Sequence, residues 1–145
     1  MATVRELLAR KGGDVLMVDP ATSVLEAARL MNDRGVGSVL VMKDGELAGI
    51  FTERDVMRRV VAAERSPAET SVAEVMTSSL VTCTLDATMQ DCASVMSERR
   101  IRHLPVVGDD GVAGVVTTGD LLAHEIKEKD AAIQQLESFV FYVRS

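Results

Sequence analysis

The sequence has no tryptophan, and aromatic residues make up only 3% of it. A core built on large rings is excluded, so Val, Leu, Ala and the eight Met must fill it. Cysteine is scarce too. Cys83 and Cys92 form no CxxC and have no His at metal-ligand spacing. That excludes a disulfide framework and the usual zinc motifs, and leaves two free thiols in a reducing cytosol as the expectation. No apolar run approaches the ~18 residues of a membrane helix. The stretch MATVRELLARKGG carries no continuous apolar segment that could act as a signal peptide. Positive charge is in short supply: 16 Lys and Arg face 22 Asp and Glu, a formal net charge of −6. Non-specific nucleic-acid binding rests on phosphate neutralisation by Lys and Arg, so no nucleic-acid partner is expected. GxGxxG, Walker and GxSxG motifs are all missing. The expectation is a cytoplasmic protein that is not an enzyme and does not engage a membrane.

What is present is an ordinary globular composition, 47% hydrophobic and 26% charged over 145 residues. This length suits one domain or two very small ones. The chain also repeats itself. Shifted by 65 residues, 20–56 falls on 85–121 without a gap. Nine positions are then identical, including Gly49/Gly114, Thr52/Thr117 and Asp55/Asp120. TVRELL at 3–8 matches SVAEVM at 71–76 if three residues, Lys11-Gly12-Gly13, are surplus in the first copy. The copies meet near Arg65–Thr70. The repeat therefore divides the chain into 1–66, 67–125 and an extension, 126–145.

Each copy predicts the same elements. A short helix (about 3–10, 71–77) precedes an apolar strand, Val15–Val18 or Leu80–Cys83. An amphipathic helix follows, opened by Ser23-x-x-Glu26 or Thr88-x-x-Asp91 at capping-box spacing. Ser38–Met42 and Leu47–Thr52, and likewise His103–Val107 and Val112–Thr117, read as hairpins. Helices begin at Glu53 and Thr118. The order α-β-α-β-β-α, twice, predicts an α/β (α+β) fold: two units packed sheet to sheet in pseudo-two-fold, plus a C-terminal helix. That helix is expected to run to about Tyr142, with Leu122, Ile126, Ile133, Leu136, Phe139, Val140 and Val143 recurring at helical spacing. It packs either on its own domain or against a second subunit. Phe139, Phe141 and Tyr142 favour the interface, where aromatics are enriched.

These segments, DPATSVLEAARLMNDRGVGSVLVMKDGELAGIFTERDV and LDATMQDCASVMSERRIRHLPVVGDDGVAGVVTTGDL, resemble the CBS domain, and the pair resembles a Bateman module. The most specific parts are RHLPVV at 102–107, the two glycines before the last strands, and the paired TxxD motifs. With only a helix beyond the repeat, the chain resembles a stand-alone CBS pair. The resemblance implies an adenine-nucleotide sensor: AMP above all, with ADP, ATP or NAD as alternatives, bound in two clefts between the copies. It also implies a homodimer and a regulated protein partner that the sequence does not identify. The alternative is a constitutive dimeric adaptor with degenerate clefts.

Thr-x-x-Asp at a strand-to-helix junction is a capping arrangement in its own right. The same carboxylate has two oxygens with which to accept hydrogen bonds from a ribose diol. Both readings fit the residues. The resemblance combines the TxxD of one copy with the first two strands of the other. Cleft one then joins Ile50, Thr52, Arg54 and Asp55 to Ser79, Leu80, Val81, Ile101, Arg102, His103 and Pro105. Cleft two joins Val115, Thr117, Gly119 and Asp120 to Lys11, Asp14, Val15, Leu16, Val36, Gly37 and Ser38. Arg102 and His103 face a phosphate in one reading and are a surface Arg and a satisfied His in the other. Cleft one holds more positive charge, because Gly119 replaces Arg54 and Gly37 replaces Arg102.

Overall fold

The computed structural model describes the backbone of residues 1–141 and the side chains of 1–136. Phe139, Val140, Phe141 and Tyr142, expected at a subunit interface, and Val143 of the same helical pattern lie outside the described side chains.

The first copy runs α1 (Val4–Lys11), β1 (Met17–Val18), α2 (Val24–Arg34), β2 (Ser38–Lys43), β3 (Glu46–Thr52) and α3 (Glu53–Asp55). A π-helical segment, Val56–Val61, continues α3. The second runs α4 (Val72–Val75), α5 (Met89–Arg99), β4 (His103–Gly108), β5 (Gly111–Thr117) and α6 (Thr118–Phe141). This is the mixed α/β repeat with a C-terminal helix that the pattern predicts.

Local chemistry sets the element ends. Thr3, Thr52 and Thr88 each open a helix with a reciprocal capping box. Asp44 and Gly45, both at positive φ (52° and 80°), turn the first hairpin as a type I′ pair. The two hairpins share one register: Ser38 opposes Thr52 as His103 opposes Thr117. Each carries its irregularity at the same place, Val41/Met42 and Val106/Val107.

Two predicted strands are shorter than expected. Only Met17–Val18 of Val15–Val18 pairs, in parallel with Leu40–Val41. Leu80–Cys83 is not a strand, and its ladder is the single bridge from Cys83 to Val106. Main-chain bonds hold it there alone, from Cys83 N–H to the Pro105 carbonyl (3.0 Å) and from Val107 N–H to the Cys83 carbonyl (2.9 Å). The first sheet therefore has three strands and the second two.

The cores show how the copies interlock. Val72 and Val75 of α4 are buried in the first core, with Val24, Ala27, Met31, Val39, Val41 and Phe51. Val4, Leu7 and Leu8 of α1 are buried in the second, with Met89, Cys92, Met96, Leu104, Val106 and Val116. Each opening helix thus completes the other copy's core, whereas the repeat in sequence assigns it to its own. Pseudo-symmetric main-chain bonds lock the exchange, Val4 N–H to the Ala87 carbonyl (2.9 Å) and Val72 N–H to the Thr22 carbonyl (2.8 Å). A third cluster, Leu40, Ile50 and Val115, joins the sheets face to face, with Val15, Leu80 and Val112 packed around it.

The repeated glycines serve this exchange. A Cβ on Gly114 would stand 2.7 Å from Leu8 Cδ2 of α1. A Cβ on Gly49 would collide with the Met76 sulfur and approach the Thr77 carbonyl oxygen at 3.0 Å. Gly114→Val should therefore destabilise the fold by about 1–3 kcal/mol, the usual cost of forcing bulk into a packed core. Leu8→Ala in the same chain should recover part of that loss. Urea unfolding of the two variants checks both outcomes.

Candidate functional site

Each copy ends its hairpin in Thr-x-x-Asp, and the closing helix starts there. Thr52 N–H donates to Asp55 Oδ2 at 2.9 Å, and Thr52 Oγ1 lies 3.2 Å from the same oxygen. Thr117 N–H donates to Asp120 Oδ2 at 2.9 Å, while Asp120 N–H returns a bond to Thr117 Oγ1 at 3.1 Å. The capping geometry is thus built at both motifs. It uses one carboxylate oxygen and leaves Oδ1 of Asp120 without a hydrogen bond among the described residues. Asp55 is buried, and its Oδ1 faces Arg59 Nε at 3.6 Å. Main-chain bonds from the first residue of each closing helix tie it to the opposite strand of its own hairpin. Glu53 N–H donates to the Gly37 carbonyl (3.0 Å) and Thr118 N–H to the Arg102 carbonyl (3.1 Å).

A cavity of about 720 Å³ lies beside Thr52–Asp55. Of the residues expected in cleft one, Ile50, Thr52, Arg54, Asp55, Ile101, Arg102 and His103 line it. Ser79, Leu80, Val81 and Pro105 do not. The segment carrying the first three is not a strand, so it presents no continuous edge to the cavity. Leu80 packs between the sheets and Val81 against the second core. Ser79 is exposed, and Pro105 is fully buried.

The same cavity takes in groups the sequence did not single out: Arg58, Arg59 and Arg100, with Glu53, Met57 and Thr77. Five arginines therefore line one cavity in a chain of net charge −6. Two are tied down. Arg59 donates to the Val75 and Met76 carbonyls (3.2 and 3.0 Å), and Arg54 to the Arg100 carbonyl (3.2 Å). Arg58, Arg100 and Arg102 have no carboxylate within ion-pair range among the described residues. Arg58 and Arg59 ride on the π-helical segment, whose i→i+5 bonds include Ala62 N–H to the Met57 carbonyl at 2.9 Å. Arg100 sits at the left-handed C-cap of α5, φ 55°. Neither a π turn nor a non-glycine left-handed cap has a sequence signal that would have drawn these side chains to a cleft.

A second cavity, about 820 Å³, lies beside Thr117–Gly119. Lys11, Asp14, Val15, Leu16, Val36, Gly37, Ser38, Val115, Thr117 and Gly119, all expected in cleft two, line it. Asp120 does not. Its Oδ2 is held by Lys11 Nζ at 2.6 Å, and that ammonium also donates to the Val115 carbonyl at 2.7 Å. Ala28, Met31, Asn32 and Val56 add wall that the sequence reading left out.

Three residues line both cavities: Glu53, Arg102 and His103. Gly37 lets them meet, for a Cβ there would stand 3.1 Å from Glu53 Oε1 and 3.2 Å from His103 Nε2. Burial pushes the His103 imidazole below its ordinary pKa, against the opposing pull of Glu53. The shift favours the neutral ring, which can donate or accept a hydrogen bond.

The chain can now be set beside known proteins. The CBS domain model matches residues 4–62 and 72–127. The Arabidopsis thaliana mitochondrial CBS domain-containing protein CBSX3 is 33% identical, over 95% of this chain and 71% of its own. The Bacillus subtilis CBS domain-containing protein YhcV is 32% identical, over 90% and 91%. The crystal structure of a CBS-domain containing protein from Agrobacterium tumefaciens superposes with a TM-score of 0.79 at 35% identity, over 85% of this chain and 98% of its own. With two matched units, helix exchange and hairpins in a single register, the chain belongs to the CBS domain family and carries the domain as a tandem pair.

Proposed function

We propose that this CBS pair is a regulatory module that binds adenine nucleotides between its two copies and signals by a change in their relative arrangement. The observation that carries this reading is the pair of cavities, each opening beside a Thr-x-x-Asp helix start. Their volumes, about 720 and 820 Å³, fall in the range of small-molecule sites. Apolar wall from Ile50 and Ile101, or from Val15, Leu16 and Val115, suits a purine face. The carboxylate of Asp55, in the wall of cleft one, suits a ribose diol, and the arginines of that cleft a phosphate, whereas Asp120 is held by Lys11 outside the lining of cleft two. AMP is the first candidate, with ADP, ATP and NAD behind it. The chain acts on a regulated protein partner by changing shape, with differential affinity for two shapes as the driving term. A cytoplasmic setting suits its two unpaired thiols. Contact with Cys92 and burial push the Cys83 thiol above its ordinary pKa, the opposite of what a nucleophile needs.

The second reading, a dimeric adaptor, has its own support. Leu122, Ile126, Ile133 and Leu136 on α6 are 50–62% exposed. Apolar side chains in such a row suit a second copy of the chain, and closed two-fold dimers are the commonest soluble oligomers. Both readings accommodate a homodimer, and they part on ligand.

Ligand-dependent melting separates the two readings. AMP at a hundredfold excess over its Kd should stabilise the chain by about 2.7 kcal/mol, and GMP by much less, since the apolar walls offer no partner to the guanine amine. Equal effects from AMP and GMP would remove the adenine selectivity, and no effect from any nucleotide would leave the adaptor. Asp55→Asn keeps most of the cap and removes the charge. It should weaken cleft one by about 1–3 kcal/mol in calorimetry, the range for hydrogen bonds to a charged group, while Asp120→Asn, outside the lining of cleft two, should change its cleft by less. Wild-type affinity in Asp55→Asn would confine that carboxylate to capping. Truncation before Ala131 should lower dimer stability in light scattering while nucleotide binding persists, because no cleft residue lies beyond Asp120.

A further inference from the structure

The two cavities are not independent. They share the wall formed by Glu53, Arg102 and His103. Across the repeat, Arg102 corresponds to Gly37 and His103 to Ser38. Two-fold symmetry would give each cleft its own guanidinium at this place; the sequence supplies one for both. Its side chain is exposed and has no ion-pair partner among the described residues, so it is available to either side.

The clefts depend on it unequally. Cleft one has four further arginines. The other cation of cleft two, Lys11, is occupied by Asp120 and the Val115 carbonyl, at 2.6 and 2.7 Å. Asp14 and Glu53 add negative charge to the walls of cleft two. An anion there has Arg102 as its one uncommitted cation.

We propose that the two clefts compete for Arg102, so that a polyphosphorylated nucleotide in cleft one withdraws the group on which phosphate binding in cleft two depends. The inference rests on the nucleotide reading above and adds a rule of occupancy to it. One such ligand binds each chain tightly. The second binds more weakly, by a factor in the range of ordinary coupling between sites, about 5- to 150-fold. Adenosine, which has no phosphate, fills both clefts without this penalty.

Calorimetry on the full chain tests it, with ATP, adenosine and inorganic triphosphate as probes. The double variant Arg58→Glu, Arg100→Glu disables anion binding in cleft one without touching the shared wall. Competition predicts that its remaining ATP site is tighter than the second ATP site of the wild type, by about the same 5- to 150-fold. Independent clefts predict no gain, and that result overturns the proposal. Adding Arg102→Ala should bring the remaining site down to its affinity for adenosine, and a retained preference for ATP also overturns it. Circular dichroism verifies that each variant is folded. If ATP and adenosine fail to bind while triphosphate shows the same gain and loss, the sharing of Arg102 stands and the nucleotide reading falls. If no probe binds the wild type, both fall.

Discussion

The exchange of α1 and α4 between the copies is the constraint on which the rest of the molecule depends. Leu8 lies against Gly114, and Met76 against Gly49. Those two contacts place each short helix over the opposite hairpin. They also draw the sheets together on Leu40, Ile50 and Val115. The clefts are what remains on either side of that apolar seam, where the hairpins diverge toward their Thr-x-x-Asp ends. A site between two half-units is only as well defined as the junction that holds them. Here the junction is made of buried Val, Leu and Met, with two glycines marking where backbone must come close.

This dependence explains which parts of the molecule were legible in the sequence. Element order, hairpin register and helix caps follow from local rules, and the repeat allowed each to be read twice. The full capping box at Thr88, the cap at Ser23, where only Glu26 N–H bonds the hydroxyl, and the turn at Asp44-Gly45 needed no tertiary information. The segment Leu80–Cys83 keeps a strand's alternation, Leu80 toward one cluster and Val81 and Cys83 toward another, but periodicity does not show whether a neighbour pairs with it, and only Cys83 is bridged. The ownership of the opening helices was invisible for a related reason. An amphipathic helix shows that it buries a face, not against which sheet. In cleft two, ten of the eleven residues expected there line the cavity, Asp120 being the exception. Cleft one adds Arg58, Arg59 and Arg100 to its expected residues, and these arrive by a π turn and a left-handed cap.

Charge gives the two clefts different characters within one repeat. The chain as a whole is acidic, yet much of its guanidinium content converges on one cavity. Arg58, Arg100 and Arg102 stand there exposed and hydrated, with no carboxylate partner among the described residues, so the cavity wall keeps its positive charge for an anion. In cleft two the opposite choice is made. The ammonium of Lys11 is already satisfied by Asp120, so that side of the module is electrostatically settled before any ligand enters. Sequence duplication supplied two equivalent frames, and substitution at Gly37/Arg102 and Arg54/Gly119 made them unequal.

Helix exchange also sets a timetable for biosynthesis. Within the repeat α1 is made first, and its apolar face lies on a core completed by Val116, more than a hundred residues later. At about 5–20 residues per second, Val4, Leu7 and Leu8 wait roughly 5–20 s for the surface that covers them. Until then the first copy lacks the α4 that closes its own core, since Val72 and Val75 must emerge as well. The chain has no half that can mature ahead of the other. Its early segments remain exposed to proteases and to neighbouring nascent chains until nearly the whole repeat has been made.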